Sequence, residues 1–309
     1  MVHVPVLLEE TVSRLVTEPG GWYLDGTAGA GGHAAAVLAA AGLDARLLAL
    51  DRDGEALELA RAALEPFGER VVLERANFAS MADVAAKHGL GGFRGILLDL
   101  GVSSMQMDRP ERGFSFRGDA PLDMRMDDRQ PLTAAALLKR LPPEELAEVL
   151  RRYGEEPMSR RIARAVAEAL ARGEPLETTA QLAVLVEGVK GGRRGRIHPA
   201  TQTFQALRIA VNGELEALAA ALPAALELLA PGGRLAVISF HSLEDRVVKQ
   251  FMMAHEGRME SLARGGSRWV GQMPRARRVT RRPVVPGEDE VARNPRSRSA
   301  KLRVLERMA

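Results

Sequence analysis

Over the first hundred residues, short apolar runs that mostly end on a charged side chain alternate with amphipathic or alanine-rich stretches. The runs at 22–25, 46–51, 71–75 and 95–99 predict strands, and the segments 31–41, 53–65 and 79–88 between them predict helices. Alternation at this spacing predicts a parallel sheet with right-handed crossovers. From about 107 to 200 the only periodicity is helical, over 131–141, 143–153, 158–171 and 179–189, and glycine-punctuated polar connectors at 109–129 and 191–199 flank it. The sheet pattern returns at 229–239, where a helix ends, Pro-Gly-Gly turns and a buried strand begins. A final strand over 301–306 is expected to close the sheet edge, with the arginine-rich 275–282 region as its antiparallel neighbour. The fold class expected is therefore α/β: a discontinuous sheet domain of residues 1–106 and 202–309, carrying an inserted all-α domain of residues 107–201.

The first strand runs straight into a glycine-rich bend, Asp25-Gly-Thr-Ala-Gly-Ala-Gly-Gly-His33. Glycines at 29, 31 and 32 remove Cβ atoms where a ligand would approach backbone N–H groups, and the following helix presents its positive end there. Asp51 follows Gly31 by twenty residues at the tip of the second strand, where a ribose would need its hydroxyls held. The string Gly29-Ala-Gly31-Gly-His-Ala34 also satisfies the permissive dinucleotide fingerprint. The acid, three small residues and glycine order beginning at Asp25 resembles S-adenosylmethionine enzymes of the nucleotide-fold type and tilts the choice that way, because dehydrogenases usually pass from strand to first glycine at once; a dinucleotide and a structural turn without ligand are the alternatives.

Composition narrows the chemistry. With 309 residues and 46% hydrophobic content the chain has material for a buried core. It shows neither a charged-then-apolar leader nor an apolar run of spanning length, so a cytoplasmic, non-membrane location is expected. Zero cysteines exclude disulfides, thiolate metal sites and cysteine nucleophiles. Charge is polarised: residues 258–309 carry fourteen Lys/Arg against five Asp/Glu, a local +9, which leaves the first 257 residues at −6 within a net +3. A basic segment on a slightly acidic body points to a polyanionic partner, the alternative being a solvated tail.

In a doubly wound sheet ligands lie across the carboxyl ends of the strands. Phe78 follows the third strand, where its ring either lies against adenine or packs under the next helix. Asp99 ends the fourth, facing adenine or the donor, or capping a turn. Beyond it, Ser103 and Gln106 offer small polar groups near a reacting centre. His241 follows the fifth strand and is the one histidine placed for acid–base work, or else it caps the helix beginning near Leu243. The methionines at 105, 107, 124 and 126 read as gap-fillers. No His/Asp/Glu set has metal-ligand spacing, and neither a Gly-x-Ser-x-Gly nor a Walker loop is present, so no metal is expected.

Several longer strings are more specific: Asp25-Gly-Thr-Ala-Gly-Ala-Gly-Gly-His33, Asp99-Leu-Gly-Val-Ser-Ser, Arg112-Gly-Phe-Ser-Phe116, Pro121-Leu-Asp-Met-Arg-Met-Asp127, Tyr153-Gly-Glu-Glu156, His198-Pro-Ala-Thr201, Phe204-Gln-Ala-Leu-Arg-Ile209, Ser239-Phe-His-Ser-Leu-Glu-Asp-Arg246 and Asn294-Pro-Arg-Ser-Arg-Ser299. Together they resemble the bacterial small-subunit ribosomal RNA cytosine-N4 methyltransferase family, also called MraW or RsmH, over nearly the whole chain. The resemblance implies a class I S-adenosylmethionine-dependent methyltransferase (Rossmann-like) sheet with a helical insertion, S-adenosyl-L-methionine as cofactor, and a cytidine in the decoding region of 16S ribosomal RNA in the small ribosomal subunit as target. It implies cofactor contacts at Gly31, Gly32, His33, Asp51, Phe78, Asp99 and Gln106. One departure is Gln202, where the family's string has arginine.

The sulfonium carries its own driving force, so positioning of the acceptor amine is the main task, and Ser103, His241 or water remain open as proton acceptor. Arg275, Arg277 and Arg278, or Arg193, Arg194 and Arg196, are expected to bind phosphates. Two rival classes stand beside this reading, a non-catalytic ribosome assembly factor and a dinucleotide-dependent oxidoreductase. Asp123, Arg125 and Asp127 are expected to organise the entry to the insertion.

Overall fold

In the computed structural model, residues 5–309 are described, apart from 117, 194, 196, 197, 262–264, 271 and 272. The chain divides into two compact units, one of residues 1–101 and 215–309 and one of residues 102–214.

The first unit is built on strands β1 (Gly21–Asp25), β2 (Ala45–Asp51), β3 (Val71–Arg75), β4 (Phe93–Asp99) and β5 (Leu229–Ser239), with a separate hairpin of β6 (Arg258–Ser261) and β7 (Ser267–Val270), then β8 (Ala276–Arg278) and β9 (Lys301–Arg307). The seven-stranded sheet has the order β3-β2-β1-β4-β5-β9-β8. Strands β1 to β5 are parallel, β9 runs antiparallel to β5, and β8 antiparallel to β9. This is the expected doubly wound, Rossmann-like sheet, with the edge pairing expected from 275–282 and 301–306.

Parallel strands covered on both faces need apolar side chains in both directions, which is why these runs do not alternate with polar residues. Leu24, Leu48, Leu50 and Leu98 point into one core with Phe93 and Leu218, and Tyr23, Leu47, Ala49 and Leu97 point into the other with Leu7 and Val37. Helices Gly32–Ala41, Gly54–Leu64 and Met81–Lys87 follow the first three strands. The strand order reverses between β1 and β4, and there the carboxyl ends open the crevice in which such sheets bind ligands.

The second unit is helical, with helices Ala134–Arg140, Pro143–Gly154, Ser159–Ala171, Thr179–Lys190 and Thr201–Asn212. Its core gathers Leu137, Leu146, Ile162, Leu182 and Phe204, and Met124 and Met126 are buried there as fillers. The sequence boundaries at 106/107 and 201/202 differ from the divisions observed. Helix Thr201–Asn212 sends Phe204, Leu207 and Val211 into the helical core, so it belongs with the insertion. At the entry Arg125 grips both carboxylate oxygens of Asp123 and donates to the carbonyls of Asp128 and Gln130. Asn212 pins the same segment by bonding Met124 O and Met126 N. Among the described residues no single helix is long and apolar enough to cross a membrane.

Candidate cofactor site at the strand tips

Three carboxylates meet at the switch point, each delivered by the last residue of a strand: Asp25, Asp51 and Asp99. The glycine bend lies among them and is fastened by two of them. Asp51 Oδ2 accepts the Gly29 N–H at 2.8 Å and its Oδ1 accepts the Asp53 N–H at 2.9 Å, which locks the loop to β2. Asp25 Oδ1 accepts the Thr27 N–H at 3.0 Å and the Thr27 hydroxyl at 3.3 Å, and that hydroxyl accepts the Asp99 N–H at 2.6 Å. Thr27 thus ties the tips of β1 and β4 together, a role sequence reasoning missed because the partner lies 72 residues away.

The electrostatics are those of a site awaiting positive charge. Asp25 is 2% exposed, and burial, reinforced by the Asp51 charge against the opposing Thr27 hydrogen bonds, pushes its carboxyl up to about 7. Burial raises Asp99 well above the usual carboxylate range, with Asp25 and Glu244 adding repulsion, and burial raises Asp51 as well. Asp25 Oδ2 and Asp99 Oδ1 are buried with no hydrogen-bond partner among the described residues. Neighbouring carboxyls with spare acceptor atoms favour a ligand that brings cations or N–H donors.

The glycines divide into two groups. Gly31 caps helix Gly32–Ala41 at φ 84°, and a Cβ there would sit 3.1–3.2 Å from Ala63 Cβ and Ala60 Cα. A Cβ on Gly32 would meet Pro5 Cγ at 2.4 Å. Both are therefore required by packing of the protein against itself, which corrects the expectation that they clear space for a ligand. Gly29, with only Thr27 O within 4 Å of its Cβ position, is the open member of the bend.

His33 is 6% exposed and faces inward, with Nε2 3.1 Å from Val6 O and Nδ1 3.5 Å from Asp99 Oδ2. Phe78 is 8% exposed and lies in the sheet core, its Cβ close to Gly26, so its ring packs under the sheet's covering helices. His241 caps helix Ser242–Glu256: Nδ1 accepts the Glu244 N–H at 3.4 Å, Glu244 Oε2 accepts the Phe240 and His241 N–H groups, and His241 Nε2 lies 3.1 Å from Glu244 Oε1. Ser103 and Gln106 belong to the second unit, where they form a reciprocal capping box at helix Ser104–Asp108.

The arginines expected on phosphates are otherwise engaged. Arg275 pairs with Glu227, Arg277 with Glu306 and Arg278 with Glu256. Of the second trio, Arg193 is exposed, and Arg194 and Arg196 lie outside the described residues.

A family model described as the MraW methylase family matches residues 1–308. A protein from Symbiobacterium thermophilum, named ribosomal RNA small subunit methyltransferase H, is 49% identical over 98% of this chain and 96% of its own length. Proteins of the same name from Dehalococcoides mccartyi and Beijerinckia indica are 49% and 50% identical, covering 99% and 97% of this chain and 86% and 84% of theirs. A match of this extent, on a chain whose three acidic strand tips surround a glycine bend, leaves one conclusion: the chain belongs to the MraW methylase family.

Proposed function

We propose that this protein transfers a methyl group from S-adenosyl-L-methionine to small-subunit ribosomal RNA, and that the acceptor is N4 of a cytidine in the decoding region. The observation that carries the reading is the pair of buried, unpartnered carboxylate atoms, Asp25 Oδ2 and Asp99 Oδ1, beside the bend. S-adenosylmethionine fits this donor set because it bears a sulfonium and an ammonium. A dinucleotide would bring an anionic pyrophosphate toward three carboxylates and is disfavoured by the same electrostatics. The relatives' name supports ribosomal RNA of the small subunit as substrate, and the family resemblance of the motifs supports the N4 position.

In this reading Asp25 and Asp99 hold the cationic part of the cofactor. Asp51, each of whose oxygens retains a lone pair beyond its backbone hydrogen bond, receives the ribose hydroxyls, and Gly29 leaves room for close approach. Gly31, Gly32 and His33 shape the wall, and the buried Phe78 supports the adenine side from beneath. Gln106 and Ser103 enter on the motif resemblance alone. The cofactor supplies an electrophilic methyl group with its own driving force. The protein then has to hold the exocyclic amine in line, worth about 7–11 kcal/mol, whereas a general base adds about 10²–10⁴-fold. His241, bound into its helix cap, is poorly disposed as that base. The absence of cysteine removes the covalent route through pyrimidine C5.

The test is methyl transfer from labelled cofactor to isolated small ribosomal subunits, followed by nucleoside mass spectrometry. N4-methylcytidine is the expected product. A methyl group on C5 or on the ribose overturns the acceptor assignment, and stable binding without transfer overturns the enzyme in favour of an assembly factor.

A further inference from the structure

The segment 279–298, including the string Asn294-Pro-Arg-Ser-Arg-Ser299, is not used by the cofactor site. Its path follows from the antiparallel register of β9. At the far end, Arg277 lies opposite Glu306, which also faces Arg234 near the start of β5. This is the end of the sheet remote from the strand tips, and the arginines there are paired with glutamates.

The same edge continues toward the tips. Val279 and Thr280 donate to Val304 O, and Val284 then pairs with Leu302. Three residues, Arg281, Arg282 and Pro283, therefore stand opposite Arg303 alone, an enlarged bulge of the kind that turns side chains out of a sheet edge. Leu302 is level with Ile238, and Ile238 with Asp99, so Val284 lies on the row that ends at the cofactor site. Three strand spacings separate Val284 from Asp99, roughly 14 Å. Just before β9 the turn Pro295–Ser299 is folded by the Ser297 hydroxyl donating to Asn294 O and the Arg296 N–H donating to Asn294 Oδ1, and it leaves Arg298 exposed. Lys301 follows, level with Ser239 at the tip of β5.

Arg281, Arg282 and Arg298 are exposed, and among the described residues none of their side chains has an ion-pair or hydrogen-bond partner, in contrast to Arg275, Arg277 and Arg278. Arg303 and Lys301 are bound to Asp245. Glu290 in the intervening helix is held by the Leu7 N–H, and Glu288 and Asp289 are the acidic groups left exposed on this edge. We infer that Arg281, Arg282 and Arg298 form the phosphate-binding edge of this unit and grip the RNA backbone of nucleotides flanking the target base, in place of the Arg275–Arg278 cluster. The inference rests on the RNA-substrate reading above. It assigns the role by two features that composition does not show, uncompensated charge and position at the tip end of the sheet.

The experiment compares R281Q/R282Q/R298Q with R275Q/R277Q in the full chain, by binding of a fluorescent single-stranded RNA spanning the small-subunit decoding region over 50–300 mM salt. Each lost phosphate contact lowers the slope of log K against log salt by about 0.7 for single strands, so the triple variant is expected to lose about 2 in slope and the double variant close to none. Cofactor affinity by calorimetry should stay as in the parent, and where transfer is measured KM for RNA should rise with kcat little changed. The single variants R281Q and R298Q, each expected to lose one step of slope, serve if the triple variant melts early. An unchanged slope in these variants, or an equal loss in R275Q/R277Q, overturns the inference. Failure of the enzyme to methylate would instead strike the proposed function, since binding is read independently.

Discussion

His33 holds Asp99 from behind: its Nδ1 lies 3.5 Å from Asp99 Oδ2 while its Nε2 lies 3.1 Å from Val6 O. A carbonyl only accepts, so Nε2 carries the proton, and a neutral ring then turns its Nδ1 lone pair toward the carboxyl. Two lone pairs in a buried site repel unless one proton lies between them. Burial, Asp25 and Glu244 all raise Asp99, which favours that proton on the Asp99 side. The cofactor-free protein is expected to show, by ¹⁵N NMR at pH 7, a neutral His33 protonated at Nε2. H33A should weaken cofactor binding about tenfold, and H33N, which keeps a donor in the pocket, should lose less. A doubly protonated His33 at pH 7 contradicts this proton placement.

Asp25 makes stability depend on pH with a definite sign. Its folded carboxyl titrates at about 7 against an ordinary 3.8, so the folded state holds a proton that the unfolded state releases between those values. Stability therefore falls as pH rises through this window, and it is intact below about 4. At 1.36 kcal/mol per pKa unit the full effect is about 4 kcal/mol above pH 7. In urea titrations without cofactor, D25N should gain over the parent progressively from pH 4 to pH 7.5 and level off above. Its cofactor affinity should fall, because the neutral amide no longer answers a cation. A gain that shrinks with rising pH contradicts the assignment.

Much of this site was legible in the chain because buried parallel strands leave unbroken apolar runs, and the residue ending each run must lie at the ligand edge of the sheet. The strand-end positions of Asp25, Asp51 and Asp99 are legible for that reason. What the string hides is the partner of each group. Gly31 and Gly32 read as ligand clearance in the string, whereas in the fold Ala60, Ala63 and Pro5 lie against them. The three arginines of 275–278 read as free charge, yet their glutamates lie at 227, 256 and 306. The His198-Pro connector reads as an exit that puts helix Thr201–Asn212 with the sheet, whereas its apolar face fits the helical core.

Thr27 should matter as much as the carboxylates it joins. Its hydroxyl accepts the Asp99 N–H and donates to Asp25, so T27V leaves the Asp99 N–H without its acceptor in a part-buried site and reduces Asp25 Oδ1 to the Thr27 backbone N–H alone. Loss of such a bridge costs about 1–3 kcal/mol. T27V is expected to lower the urea midpoint and to weaken cofactor binding, and T27S, which keeps the hydroxyl, to restore most of both. Equal behaviour of the two variants would assign the position to packing of the methyl group.

The helical unit depends on a buried ion pair rather than on the many pairs at its surface. Lys190 Nζ lies 2.8 Å from Glu156 Oε2 and 3.1 Å from Oε1, and also donates to Pro199 O, so one ammonium joins helix Thr179–Lys190 to the turn after Pro143–Gly154 and to the connector before Thr201. Glu156 has no exposed side chain and also receives the Met158 N–H. Removing one partner of a buried pair strands the other, at about 3–5 kcal/mol, and the 17% exposure of Lys190 sets the expectation near the lower figure. K190M should therefore lower the unfolding midpoint strongly, while E156Q, which keeps an acceptor for both Lys190 and Met158, should cost less. R151A, which breaks the exposed pair with Glu148, should leave the midpoint unchanged. If K190M melts with the parent, the pair is solvated and the connector is held by its other contacts, among them Phe116 against His198 and Phe204 and the Gln202 amide donating to Glu155 O.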